Sequence, residues 1–235
     1  MRGAEHSPIV LSQFYEKIYD RLLSSLADEV ERNRTVAVFW PMCGERYDGD
    51  LMIIGRATRT WYRCVRPAEM TSPDGRRNLL REKRAHSESH SKTCHQRWVV
   101  GNWGHRGEFD LKRSQFWRVS RQVTLAADPG RGDAWPLYIC YTNLFKVAAA
   151  EGNPSGPLKA AQTPIAVELL HQELSEYAPK RILVLTGRRD WFQPFAESLG
   201  IGLRENKKYQ YVEGVAAENG RRWVIAPHPS PTFAD

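Results

Sequence analysis

A chain of 235 residues and 27.0 kDa, 41% of them hydrophobic, is long enough to close one core as a single domain without disulfides or metal. Its 34 Lys and Arg against 27 Asp and Glu give a net charge of +7, and apolar runs such as 51–54 and 182–185 are strand-length, which excludes a bilayer span. No apolar leader opens the chain, and Cys43, Cys64, Cys94 and Cys140 form no CxxC pair, so reduced thiols in a cytoplasmic protein are expected.

Residues 13–32 place Phe14, Ile18, Leu22, Leu26 and Val30 four apart, the spacing of an amphipathic helix. The run LMIIG at 51–55 follows an Asp/Gly turn and reads as a buried strand. Residues 58–104 carry few apolar side chains, Arg/Lys runs and a Ser/His-rich stretch at 85–95, and read as a long basic insertion after that strand, either a functional loop or partly disordered. Residues 116–123 and 164–177 read as helices, the second with Thr163 as N-cap and Pro164 at its first position. RILVL at 181–185 is a second buried strand that ends at Gly187, and 190–199 is a helix closed by Gly200. Residues 209–212 and 222–225 read as the last strands, around a turn at 218–221. No internal repeat is present. Strands alternating with helices predict a three-layer α/β/α sandwich around a mostly parallel sheet.

The positive charge is concentrated. Residues 56–121 hold 16 Lys and Arg against 6 Asp and Glu, a net of +10, while the rest of the chain sums to −3. A local surplus of this kind points to a polyanion, most often nucleic acid, with a merely solvated basic surface as the alternative. His86, His90, Cys94 and His95 fall in the same window, and imidazoles four apart on a helix can share zinc. Their Ser and Lys neighbours suit a solvated or DNA-facing loop better, and no metal is expected.

Three segments end or follow predicted strands: GRATRTW at 55–61, YTNLFK at 141–146 and APHPSPTF at 226–233. In a parallel sheet such ends converge, so Arg56, Asn143 and His228 are expected to meet in one cleft. Taken alone, each has an ordinary reading as a turn, a cap or a rigid loop. Together, and in this order, they resemble the uracil-DNA glycosylase superfamily, with its Gly-led first motif, Asn-bearing middle segment and late His-Pro-Ser-Pro motif. FWRV at 116–119 and KRILVLTG at 180–187 resemble further parts of that family, so the likeness runs over about 35–235 without most of 62–104.

The resemblance implies a uracil-DNA glycosylase-like fold and a monofunctional glycosylase, without cofactor and monomeric, acting on double-stranded DNA with a flipped base or on single-stranded DNA. Asn143 then reads the base edge, and His228 stabilises the departing base. Pro229 and Pro231 stiffen the late loop, Ser230 contacts a phosphate, and Thr232 or Phe233 fills the gap left by the base. Gly55, Arg56, Ala57 and Thr58 line the base pocket, Arg59 faces DNA, and Phe109 or Phe116 is the stacking platform, with core packing as the competing role. The first motif departs from the family pattern. Arg56 and Ala57 stand where an acid or amide is usual, and Thr58 stands in place of proline. A substitute acid has to come from elsewhere, with Glu108 and Asp110 nearest in sequence. The blocking tyrosine of the stringent uracil branch is also absent, which suits a base with a bulky 5-substituent, such as the modified cytosines of some phage genomes. Excision of plain uracil in base-excision repair, and a non-catalytic DNA-binding module, are the alternatives.

Overall fold

The computed structural model describes residues 11–26, 35–58, 63–87, 95–105, 110–150 and 152–229. Nine strands and seven α-helices are described: β1 Val36–Val38, β2 Met42–Cys43, β3 Leu51–Gly55, β4 Cys64–Val65, β5 Ile139–Asn143, β6 Val147–Ala149, β7 Arg181–Leu185, β8 Gly214–Glu218 and β9 Arg221–Ala226, with α1 Gln13–Leu26, α2 Ala68–Thr71, α3 Pro73–Ser87, α4 His95–Asn102, α5 Gln115–Ala127, α6 Gly156–Tyr177 and α7 Gln193–Ser198. A six-stranded sheet runs in the order β2-β5-β3-β7-β9-β8, and β4-β1-β6 form a small antiparallel sheet. In the large sheet β5, β3, β7 and β9 are parallel, and β2 and β8 close the edges antiparallel.

Side chains that alternate along these strands enter two separate cores. Met52, Ile54, Ile182 and Val184 join α1 and α6 in the larger core, while Leu51, Ile53, Leu183 and Leu185 pack with Trp117 of α5 and Val99 of α4 on the other face. The result is a mixed α/β fold with a mostly parallel sheet between helices, as the alternation of elements predicts. The apolar runs 51–55 and 181–185 are strands because burial on both faces removes the polar alternation of an open sheet. Among the described residues no helix is long and apolar enough to cross a membrane. Cys43, Cys64 and Cys140 are free thiols, Cys43 and Cys140 facing each other across β2–β5 with sulfurs 2.6 Å apart; Cys94 lies outside the described residues.

Several expectations are corrected. The described residues of 58–104 are not a loop: they contain β4, α2, α3 and α4, and β3 is preceded by two short strands. The sequence hides these helices because ion pairs do much of the work of an apolar face. Only Leu79 and Leu80 of α3 are buried hydrophobics, beside the inward-turned Arg76 and Lys83. Arg76 pins α3 to Asp20 of α1 at 2.8 Å and to the Met70 and Thr71 carbonyls. Helix α6 starts at Gly156, capped by Ser155, so Pro164 sits inside it, and Thr163 is no cap but bonds back to the Lys159 carbonyl at 2.6 Å. Residues 209–212 are turns rather than a strand; the strand is β8, joined to β9 through Asn219 and Gly220, both at positive φ. Helix α1 keeps the expected amphipathic form over its described part, but its buried face is Tyr15, Ile18, Tyr19, Leu22, Leu23 and Leu26, and Phe14 is exposed.

Candidate active site at the strand ends

Parallel pairing fixes where the three segments end. Gly55 stands opposite Asn143 in β3–β5, and Leu185 stands opposite Ala226 in β7–β9. The chain therefore delivers Arg56, Asn143, Thr186–Gly187 and Pro227–His228 to one edge, the carboxyl ends of the strands, where open α/β sheets bind ligands.

Asn143 is fully buried. Its Oδ1 accepts from the Tyr141 hydroxyl at 3.0 Å, while its Nδ2 is buried and has no acceptor among the described residues. The amide lies across Gly55: a Cβ there would stand 2.4 Å from Oδ1, so only glycine lets β3 pass so close. Beneath it Lys146, also fully buried, donates to the Asn143 carbonyl at 2.6 Å and Thr142 Oγ1 at 2.7 Å, and pairs with Glu173 at 2.8 Å. Tyr15 donates to the same Glu173 oxygen at 2.6 Å. Burial pushes the Lys146 ammonium below its ordinary pKa, and Glu173 opposes the shift.

Arg56 turns the other way. Its Nε donates to the Thr186 carbonyl at 2.9 Å, and its guanidinium lies 4.7 Å from the centre of the Trp191 ring. Lys159 approaches the same ring at 4.7 Å. Together with His228, Arg56 lines a cavity of about 690 Å³ whose wall also carries Asp190, Trp191 and Glu213. Gly187 begins that wall at φ 84°, a conformation side chains with a Cβ rarely adopt, and its N–H bonds to the Ala226 carbonyl at 2.9 Å. Glu213 Oε2 accepts the backbone N–H of Arg188 at 2.5 Å and so caps the π-helical turn Arg188–Phe192. Asp190 has no hydrogen bond or ion pair among the described residues. Burial, and secondly the charge of Arg56, push the His228 pKa below its ordinary value, which favours the neutral imidazole.

The expectation of a single cleft is thus corrected. Arg56 and His228 share the cavity, but Asn143 lies sealed on the next strand and does not line it. Ala57 packs against the larger core and Thr58 is buried. Phe116 is half-buried and leans on Tyr141 and Trp117, each 5.2 Å away between ring centres, in the second core. Pro229 follows the cavity at the end of the described chain. Asp110 serves its own turn, accepting from the Lys112 N–H at 3.0 Å. Arg59, Phe109, Glu108, Ser230, Pro231, Thr232 and Phe233 lie outside the described residues, as do His90 and Cys94. Among the described residues no three His, Cys, Asp or Glu side chains stand together.

Sequence reasoning missed Asp190, Trp191 and Glu213. The first two follow directly on the strand-ending Gly187, a signal that was present. Glu213 reaches the cavity from the segment before β8, and nothing local marks it. The chain matches no protein-family model, and no curated protein matches it either.

Proposed function

We propose that the chain is a monofunctional DNA glycosylase of uracil-DNA glycosylase-like fold, excising an extruded modified base and leaving an abasic site in an intact strand. The observation that carries this reading is the strand order β5-β3-β7-β9, which gathers the Asn-bearing, Gly-led and His-Pro segments at one edge. With Oδ1 held by Tyr141, the free group of Asn143 is its Nδ2 donor, which suits an acceptor on a base edge, such as N3 of cytosine or O4 of uracil. A neutral His228 is able to donate a hydrogen bond where negative charge develops on the departing base, and Arg56 adds positive charge to the same cavity.

Hydrolysis through an oxocarbenium-like sugar also calls for a carboxylate that orients water and balances positive charge. The first motif has none; Asp190 and Glu213 supply it from the π-helical turn after β7 and from the segment before β8, Asp190 with the carboxylate not engaged in a hydrogen bond. Strand cleavage would need an amine free to attack the sugar. Lys146, the lysine of the Asn-bearing segment, is committed to Glu173, Thr142 and the Asn143 carbonyl and is not that amine. The substrate class is a cytosine with a bulky 5-substituent, because no tyrosine follows Gly55 and the Arg56 side opens into about 690 Å³. Defence against phages with modified DNA is the corresponding role.

The test incubates the protein with modified-phage, uracil-containing and plain DNA, then cleaves abasic sites with alkali. Alkali-labile sites are expected in the modified DNA alone. Asn143→Ala and His228→Ala are each expected to slow their formation about 10²–10³-fold while the protein stays folded and bound to DNA. Efficient uracil release with modified DNA untouched identifies a uracil glycosylase. Binding without release from any DNA identifies a non-catalytic module.

A further inference from the structure

Most described arginines of the basic window are tied up within the chain. Arg63 bridges Glu69 at 2.9 Å and Glu82 at 2.7 Å, and Arg76 reaches Asp20 at 2.8 Å. Arg77, Arg84 and Arg97 pair with Asp74, Glu16 and Glu45. Arg63, Arg76, Arg84 and Arg97 thereby join separate elements, while the Arg77–Asp74 pair is exposed within α3 and water screens it. Lys112 and Arg118, by contrast, have no carboxylate partner among the described residues. Arg121 meets Asp133 at 3.7 Å, and that aspartate side chain is 88% exposed, so water screens the contact.

These three cations line a second cavity, of about 520 Å³, together with Trp103 and Asp133. It lies beside α5, on the opposite face of the sheet from α1. Helix α5 turns Trp117, Ser120 and Thr124 into the core, which leaves Arg118 and Arg121 for the outer face. Lys112 comes from the turn before α5 and lies across Gly104, where an added Cβ would stand 2.7 Å from Nζ. The Arg121 guanidinium sits 5.7 Å from the centre of the Trp103 ring, and its Nε is buried without an acceptor. A buried donor without a partner is unfavourable, and an oxyanion removes that penalty. A guanidinium resting on an aromatic ring keeps its N–H edge available to such a group.

We propose that this cavity binds a phosphate group, and that its occupant is one backbone phosphodiester of the DNA held at the strand-end site. The proposal rests on the DNA reading of that site and gives it a second anchor. Three cations facing one screened carboxylate complement a phosphodiester.

The test follows labelled duplex binding by the full chain between about 50 and 200 mM salt. Arg118→Gln with Arg121→Gln is expected to weaken binding and to lower the slope of log K against log salt by about one, the loss of one phosphate contact. Arg121→Lys keeps the charge and is expected to keep the slope, which separates charge from packing. Lys17→Gln, on the exposed side of α1, is expected to change neither slope nor affinity. A double variant with wild-type slope and affinity overturns the proposal. So does a variant that loses inorganic phosphate, measured by calorimetry, while its DNA slope stays unchanged, since that marks a free-phosphate site. Binding needs no turnover, so a chain whose salt slope the double variant lowers, yet which excises nothing, overturns the glycosylase reading and supports this one.

Discussion

On the β5 side of the strand-end edge, polar groups are sealed from water and joined to one another, save the Asn143 Nδ2 and one Glu173 oxygen, which have no partner among the described residues; on the β7–β9 side they stand around open space. Lys146, Glu173, Tyr15 and Asn143 have no exposed surface and form one connected network. Arg56, Asp190, Glu213 and His228 carry similar chemical groups but share a cavity. The difference teaches where charge serves the fold and where it is available for a ligand. A buried ion pair contributes little net stability while intact, yet losing one partner leaves a charge stranded. A half-exposed cation can lose its partner to water at small cost. One side of the edge therefore fixes the Asn143 backbone, and the other can change partners during a reaction.

Three measurements sharpen or break this contrast. The largest effect is expected from Lys146→Met, which strands the Glu173 carboxylate and should cost about 3–5 kcal/mol in urea unfolding. Adding Glu173→Gln removes the stranded charge, so the double variant should be more stable than the single one. A single variant as stable as the wild type would show that the network is not closed.

The next effect concerns acid. His95, partly buried at the start of α4, stacks on the exposed Trp98 and tilts against the buried Trp117, with ring centres 5.0 and 5.6 Å away, and desolvation lowers its pKa from 6.5 to about 3. Between these values the unfolded chain takes a proton that the folded chain refuses, so stability is full above pH 6.5 and falls as the pH drops. At pH 4.5 the loss attributable to this group is roughly 2–3 kcal/mol. His95→Leu should flatten the fall between pH 6.5 and 4.5, and an unchanged slope would place the loss elsewhere.

The smallest effect is expected on the open side. Arg56→Gln removes the bond to the Thr186 carbonyl and the contact with Trp191, and should cost about 1 kcal/mol or less. Loss of excision with little loss of stability would mark the cavity as a ligand site. A stability loss as large as that of Lys146→Met would instead assign Arg56 to the scaffold.

How much of this was legible beforehand depends on the kind of residue. The strands at 51–55 and 181–185 and the turn at 218–221 announce themselves, since burial on both faces demands continuous apolar runs and tight turns demand Asn and Gly. The helices within 58–104 do not, because α3 faces inward with Arg76 and Lys83 beside two leucines, and a hydrophobic count misreads such a face. The start of α6 is hidden for a related reason: Pro164 looks like a beginning until Ser155 and Pro157 supply a better one. At the site, Arg56 and His228 were legible from their positions after strands, and they do share a cavity. Asn143 was placed on the correct edge but in the wrong environment, since no local pattern reveals that Tyr141 and Gly55 enclose its amide.

The amino-acid sequence alone marks the buried strands at 51–55 and 181–185, their ends and the surplus of positive charge, because apolar runs, turn residues and composition act over short stretches. Only the tertiary structure decided which of those charges remain available. Partners such as Lys146 and Glu173, or Arg76 and Asp20, lie far apart in the chain, and meet only when the sheet and its two helical layers close around them.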